Sequence, residues 1–584
     1  MKKFEFFSDK FHGINLSSDF EHSLNSGESP EMVNFTVTDS YKLKKRKGYS
    51  VLSKKDGDGR GIGVATLDGK TSVFYAVGRE IFSYYDDDEE KIGEITSDEG
   101  EVVFFNFSNK LYVLDGALIM VWDGKTFSEI EPYRPLVSIS TTPDGAGVSF
   151  EEKNILTGKM RQSFTCGANS ITLKLAADNL DSVDYVHVGG KRLSKNNYVA
   201  DLEKGTVNVT SSAEEMLIPD GVEIGFTKNS GNESLLHKMR RATVFGKEND
   251  TRILLYGDSE NPDTIRYSGV HGGISGMEYF PENNFNKVGS RTVITSIVRH
   301  FDRLMIFAQG QAFYSYMDEA ENENGLKYAI FPIRPLSDAV GCSSCGFAAL
   351  CNSFPITLDH NTLYRWASSN IRDERYAVNI GEKIRRGIEK WQGNRIRSFD
   401  SEKTGELFIY SDMGCYVYSY VLDVFYYWNG FSARGFCEFE NSRILFQRSD
   451  GSLCALFESD LDAGEAVSAV WCSPYLSFAD GVKNLEYIDL ETYPDVDAGA
   501  DIYWVSNHGQ RGLKSFFKKV SRFTFEKMSF KNFGFQTSVS PYRMSARVRH
   551  KRFEKMKIRI ENSYPNSPLH ILSLRVRGVV TDKK

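Results

Sequence analysis

Apolar and polar residues alternate along this chain in short runs, and the runs come in pairs joined by tight turns. Residues 72–77 and 81–85 flank Gly78, and residues 110–114 and 118–122 flank Asp115-Gly116. The pairing returns at 303–307 with 313–316, 354–358 with 363–366, 406–410 with 415–418, and 443–446 with 453–457. A seventh pair, 253–256 with 264–268, has a longer turn. Short apolar runs bounded by turn residues mark strands. A strand pair recurring every 40–50 residues or so predicts a β-propeller. One small sheet cannot bury both its faces, so such sheets stack on one another. The pairs predict six or seven blades, depending on whether 253–268 and the last pair share one. Helical patterning is confined to 382–391.

The same pattern divides the chain. Residues 1–58 lack strict alternation, tight turns and long apolar runs, and read as an N-terminal extended arm. The first propeller hairpins fill 59–134. Over 135–235 aromatics thin out and short strands are punctuated by Lys204-Gly205 and Asp220-Gly221, which predicts an inserted β-sandwich domain. The remaining blades occupy 236–458. An acidic, Ala/Gly-rich stretch at 459–469 reads as a linker, and 470–584 as a C-terminal basic β-sandwich domain. Asp68-Gly69, Asp115-Gly116, Asp123-Gly124 and Asp450-Gly451 sit between strand patterns, where Asp-Gly suits tight hairpins.

Composition agrees with a strand-rich globular chain. Hydrophobic residues are 41% and charged residues 26% of 584, while aromatics reach 13%; Tyr and Phe suit pleated surfaces. Apolar runs of about 18 residues are absent, so no membrane-spanning segment is expected. The start, Met1 to Lys10, has no apolar core and does not read as a secretory signal. Charge is lopsided: His508 to Lys584 carries nineteen Lys/Arg against four Asp/Glu, a net of +15, which leaves −22 on the rest. That asymmetry points to an acidic partner or to self-association of unlike faces. Arg543, Arg547, Arg549, Lys551, Lys555, Lys557 and Arg559 fit a solvated sheet face better than a nucleic-acid site.

Reactive chemistry is sparse. Eight cysteines include only one cluster, Cys342, Cys345 and Cys351. It lacks a second pair at zinc spacing, and its apolar surroundings predict small buried residues in a reducing compartment. His237, His271 and His300 read as loop or strand-end residues. Asp86-Asp87-Asp88-Glu89-Glu90 reads as a solvated hairpin loop. Glycoside hydrolysis needs two carboxyls in unlike environments, not five exposed neighbours. Asp56-Gly57-Asp58-Gly59 begins like a calcium loop, but the later ligands do not follow. Ser449-Asp450-Gly451 and Ser411-Asp412-Met413-Gly414 approach the sialidase-type Asp-box and are explained as turns. The sequence therefore predicts no enzyme, no catalytic residue, no cofactor and no metal site.

Several segments together resemble a known group. They are Asp263-Thr264-Ile265-Arg266-Tyr267-Ser268, residues 277–284, 288–290, 293–297 and 301–307, Val340-Gly341-Cys342, Leu363-Tyr364-Arg365-Trp366 and residues 370–375. The opening Gly13-Ile14-Asn15-Leu16, residues 28–34 and Lys44-Lys45-Arg46-Lys47-Gly48-Tyr49 continue the likeness. These resemble propeller proteins of tailed phages and prophages of Gram-positive bacteria, the stabilisation, tail-hub or tail-nozzle family. The resemblance implies a virion structural protein of the tail or neck, made in the bacterial host cytoplasm. It implies a homo-hexameric ring that contacts portal, adaptor or other tail proteins. Phage DNA would pass through its channel without sequence-specific contact. An acidic lumen would let DNA slide, whereas Lys and Arg would hold it through counterion release. Two other readings remain: a carbohydrate-binding or glycan-cleaving host-attachment propeller, and a cytoplasmic interaction scaffold.

Overall fold

The structure, a computed structural model, describes residues 2–17, 24–167, 172–210, 214–247, 250–289, 292–321, 327–367, 377–478, 480–493, 498–518 and 541–581. Two stretches bearing on the sequence reading, 370–375 of the family resemblance and 519–540 of the basic C-terminal region, lie outside the described residues. As expected, the chain is all-β; its α-helix, Arg385–Glu389, follows a single 3₁₀ turn at Glu382–Ile384.

Among the described residues seven antiparallel four-stranded units are present: separate sheets at 59–94, 103–129, 241–287, 294–337 and 349–379, the strands of 397–428 at one end of a nine-stranded sheet, and the three strands of 433–459 joined by Gly48–Ser53 within a six-stranded sheet. We number them 1 to 7 in that order. Each hairpin expected from the sequence is the second and third strand of one sheet. The 253–268 and 443–457 pairs belong to different sheets, 3 and 7. The middle strands were legible because most are largely buried on both faces and read as near-continuous apolar runs. In sheet 6, Gly414–Ser419 is buried throughout. Fourth strands are the hidden ones: Asp88–Glu94 is largely exposed and strongly polar. The acidic loop shrinks accordingly. Only Asp86 and Asp87, with φ of 48° and 64°, make the turn, and Asp88 already opens the strand.

First strands pack in order. Gly59–Leu67 touches Val103–Phe107, and the contacts continue through Arg241–Lys247, Ile294–His300, Ala349–Cys351, Arg397–Ser401 and Ala433–Phe439, which in turn touches Gly59–Leu67. Glycines permit the tightest of these approaches. A Cβ on Gly59 would sit 2.2 Å from the Arg448 carbonyl oxygen, and one on Gly61 would sit 2.1 Å from that of Val102. A buried amide seals the junction of sheets 7 and 1. Gln447 accepts from the Gly61 N–H at 2.9 Å and donates to the Ala76 carbonyl at 2.7 Å.

The described residues of 1–58 do not stand apart as an arm. Gly48–Ser53 is the fourth strand of sheet 7, pairing Tyr49 with Leu456 and Ser50 with Ala455. Lys2–Ser8 pairs along His570–Thr581, and Leu43–Lys45 pairs with the start of that same strand. Glu31–Val33 joins Ala469–Cys472. The apolar side chains Phe4, Phe11, Ile14, Met32, Phe35 and Leu43 are buried, which supplies the free energy that holds this segment down. The stretch 459–469 is likewise structured, with short strands at Leu461–Asp462 and Glu465–Ala466.

Both chain ends thus build one body of two sheets. The first runs Phe35–Val37, Leu43–Lys45, His570–Thr581, Val482–Thr492, Tyr542–Phe553. The second runs Glu31–Val33, Ala469–Cys472, Met556–Asn562, Ala498–Ser506, Arg511–Lys518. A bridge between Val33 and Tyr427 joins the second to sheet 6. The inserted region has its own core. A six-stranded and a three-stranded sheet enclose Phe164, Leu173, Val186, Val207, Ile224 and Phe226, all fully buried.

Candidate functional site

At the entry ends of the first strands, charged side chains from three sheets converge. Glu101 precedes the first strand of sheet 2, Arg241 opens that of sheet 3, and Arg397 opens that of sheet 6, with Arg395 two residues before it. Glu101 Oε2 accepts from Arg241 Nη2 and from Arg397 Nη2, the latter at 3.0 Å, while Oε1 faces Arg395 Nη2. Burial alone would push the Glu101 carboxyl up, but Arg241, Arg397 and Arg395 hold it down at about 2. The loop from sheet 4 to sheet 5 packs beside them. Gly346, at φ 68°, passes so close that a Cβ there would lie 3.1 Å from the Arg241 guanidinium. Ser398 Oγ donates to the Phe347 carbonyl, and Ser344 Oγ donates to that of Ile396 at 2.6 Å.

A lateral cleft of about 720 Å³ opens between the outer strands of sheet 2 and the base of the inserted region. Asp123, Glu129, Glu131 and Glu278 line it together with Lys110, Lys159 and Arg134. Its aromatic residues are committed elsewhere. Tyr133 stacks on His271 with centroids 4.1 Å apart, and its hydroxyl joins Glu151 and Arg161. Tyr112 is buried and stacks on Phe105. Asp123 is held below the ordinary carboxylate range by the N–H groups of Thr126 and Lys125, as a hairpin-turn residue would be.

Two carboxyls ionise near neutrality, and they lie apart from this cleft. Burial raises Asp400 to about 6 and Glu406 to about 7. Asp400 pairs with Leu407, whereas Glu406 pairs with Ser401. Neighbouring positions on a strand point to opposite faces, so the two carboxyls cannot share a substrate. Asp400 lies beside Cys351 and Tyr420, and Glu406 accepts from the Tyr426 hydroxyl.

The basic C-terminal residues divide between two sheets. On Tyr542–Phe553, Arg543, Arg547, Arg549 and Lys551 are exposed while Met544, Ala546, Val548 and His550 are buried. This is a solvated face, and the strand is the edge of its sheet, where charge discourages pairing with other chains. Lys557 and Arg559 lie on the second sheet. Part of the positive charge is met inside the chain. Asp489, whose side chain is 1% exposed, takes Arg543, Ser545 and, at 2.9 Å, Arg577. Glu5 pairs with Arg575 at 2.8 Å, and Arg559 bridges Glu31 and Glu561.

The remaining residues singled out from sequence are placed as follows. Cys342 and Cys351 are buried, but Cys345 is exposed, although Cys342 and Cys345 share the loop between Ser337 and Ala349. His237 Nδ1 accepts from the Ile119 N–H at 3.1 Å, and His300 contacts the Ser353 carbonyl at 3.0 Å. Ser411 and Asp450 cap turns, accepting from Met413 and Ser452 N–H groups at 3.1 Å each. Among the described residues, groups of three or more His, Cys, Asp or Glu arranged to hold a metal are absent, and no helix is long and apolar enough to cross a membrane. The Glu101 cluster was missed by sequence reasoning, since its arginines lie 140 to 296 residues from Glu101. No protein-family model matches this chain, and no curated protein matches it.

Proposed function

We propose that this chain is a virion structural protein of a phage tail or head–tail region, forming a ring that makes or seals the DNA exit channel. Its body is a seven-bladed β-propeller, with one β-sandwich inserted after the second blade and another built from both chain ends. The observation that carries the reading is the cyclic contact of seven first strands, with the N-terminal strand Gly48–Ser53 completing the last sheet. Such closure leaves no free sheet edge at the seam, and it makes a stiff block suited to assembly. The family resemblance of the segments at 13–49 and 263–307 points the same way. Side chains of Glu101, Arg241, Arg395 and Arg397 meet within the cycle of sheets. The DNA path in this reading therefore runs between copies, not through one chain.

Cryo-electron microscopy of the purified chain tests the proposal. Sixfold rings with a lumen dominated by Asp and Glu support it. A lumen dominated by Lys and Arg removes the exit-channel role. The alternative, a glycan-cleaving attachment propeller, draws on the carboxylate-lined lateral cleft; a dispersed monomer that hydrolyses cell-wall glycans would establish it instead.

A further inference from the structure

Three guanidiniums surround one carboxylate at the centre of the seven sheets. With Glu101 ionised, Arg241, Arg395 and Arg397 leave a local charge of +2. The side chains are 12% to 28% exposed, so water screens them only in part. Neighbouring charges do not remove the excess. Arg60 is spent on the carbonyls of Gly78, Ser97, Glu99 and Gly100, and Arg240 on that of Asp115. The Asp115 carboxylate accepts from the N–H groups of Thr96, Ser97, Ala117 and Leu118. Donors are left over as well: the Nε atoms of Arg395 and Arg397 are buried and have no hydrogen-bond partner. Buried polar groups are normally satisfied, and an unmatched buried cation is costly.

We infer that Arg241, Arg395 and Arg397 form a binding site for a small oxyanion of the phosphate type. Guanidinium forks match the paired oxygens of such an anion, and two negative charges would balance the cluster. The carboxylate of Glu101 holds the three forks in place and competes with the ligand for them. Partial burial favours a free ion over the phosphodiester of a polymer. This site is independent of the assembly role proposed above.

Calorimetric titration of the whole chain with sodium phosphate, against sodium chloride at equal ionic strength, tests the inference. Saturable binding to phosphate alone is expected. Arg395→Gln and Arg397→Gln, each checked for an unchanged circular dichroism spectrum, should weaken it about tenfold or more. Glu101→Gln should tighten binding, because it removes the competitor; a purely structural carboxylate would not give that sign. Phosphate indistinguishable from chloride in the unmodified chain overturns the inference whatever the variants do. So does displacement of bound phosphate by a short single-stranded oligonucleotide, which would make the site an open polymer groove.

Discussion

Arg46 and Asp462 meet as a two-pronged ion pair, Nη1 to Oδ1 at 2.8 Å and Nη2 to Oδ2 at 2.6 Å. The other donor contacts of Arg46 go to Asn34 Oδ1, the Lys47 carbonyl and the Asn429 carbonyl. All five N–H groups of the guanidinium are thus used, and its side chain is fully buried. The pair ties the strand that completes sheet 7 to the segment leaving that sheet. Gly48 lies alongside, where a Cβ would be 2.1 Å from the Leu461 carbonyl oxygen.

Removing one partner of this pair strands the other in a dry site. Arg46→Met or Asp462→Asn should therefore lower stability by about 3–5 kcal/mol. Arg46→Lys should also be strongly destabilising, because an ammonium cannot span the same five acceptors. Denaturant unfolding monitored by tryptophan fluorescence measures this. A midpoint for Arg46→Lys equal to that of the unmodified chain would refute the role assigned to the fork.

Gln447 bridges the first and last sheets through two backbone groups. Gln447→Leu keeps much of the volume but leaves the Gly61 N–H and the Ala76 carbonyl unpaired, at a cost of about 2–4 kcal/mol. Hydrogen exchange should rise first at residues 59–77 and 443–459. Uniform exchange throughout the chain would show that the junction is not a local seam.

Glu406 makes stability fall with rising pH. Its folded-state carboxyl titrates at about 7, against about 4.3 when unfolded. The folded state holds a proton between these values, so the benefit is complete below the unfolded value and is lost as pH rises through 7. Asp400, at about 6, adds in the same direction. Glu406→Gln should be near neutral at pH 4 and stabilising by roughly 1–2 kcal/mol at pH 8. Thermal unfolding at the two pH values reads the difference directly, and a stabilisation equal at both would exclude Glu406 as the cause.

Thiol accessibility separates the eight cysteines. Cys345 is exposed and the other seven are buried. Burial also pushes the thiols of Cys415, Cys437 and Cys351 upward, which makes them poor nucleophiles. An aromatic disulfide reagent should modify about one thiol in the native protein, and that signal should vanish in Cys345→Ser. Rapid reaction of several thiols before unfolding would contradict the packing of sheets 5 to 7.

The all-β class, the two central strands of each of the seven numbered sheets and many of the turns are legible in the residues alone. Most of those strands are largely buried on both faces, so their apolar runs are local and legible. Of the four Asp-Gly pairs read as tight turns, Asp68 and Gly69 both adopt positive φ, of 50° and 79°, whereas at Asp115-Gly116, Asp123-Gly124 and Asp450-Gly451 only the glycine does. Features that depend on partners far along the chain emerge with the fold. Nothing in the basic run Lys44-Lys45-Arg46-Lys47 names its partners, yet Arg46 is matched by Asp462, and Lys45 donates to Asn562 at 2.6 Å with its ionisation lowered by burial to about 8. The basic C-terminal strands read as an unbalanced charge, but Glu5, Glu31 and Asp489 answer part of it across sheet pairings. Alternation within a strand reports which side is buried; it carries no record of which distant strand supplies the neighbour, and the placement of charge follows from that neighbour.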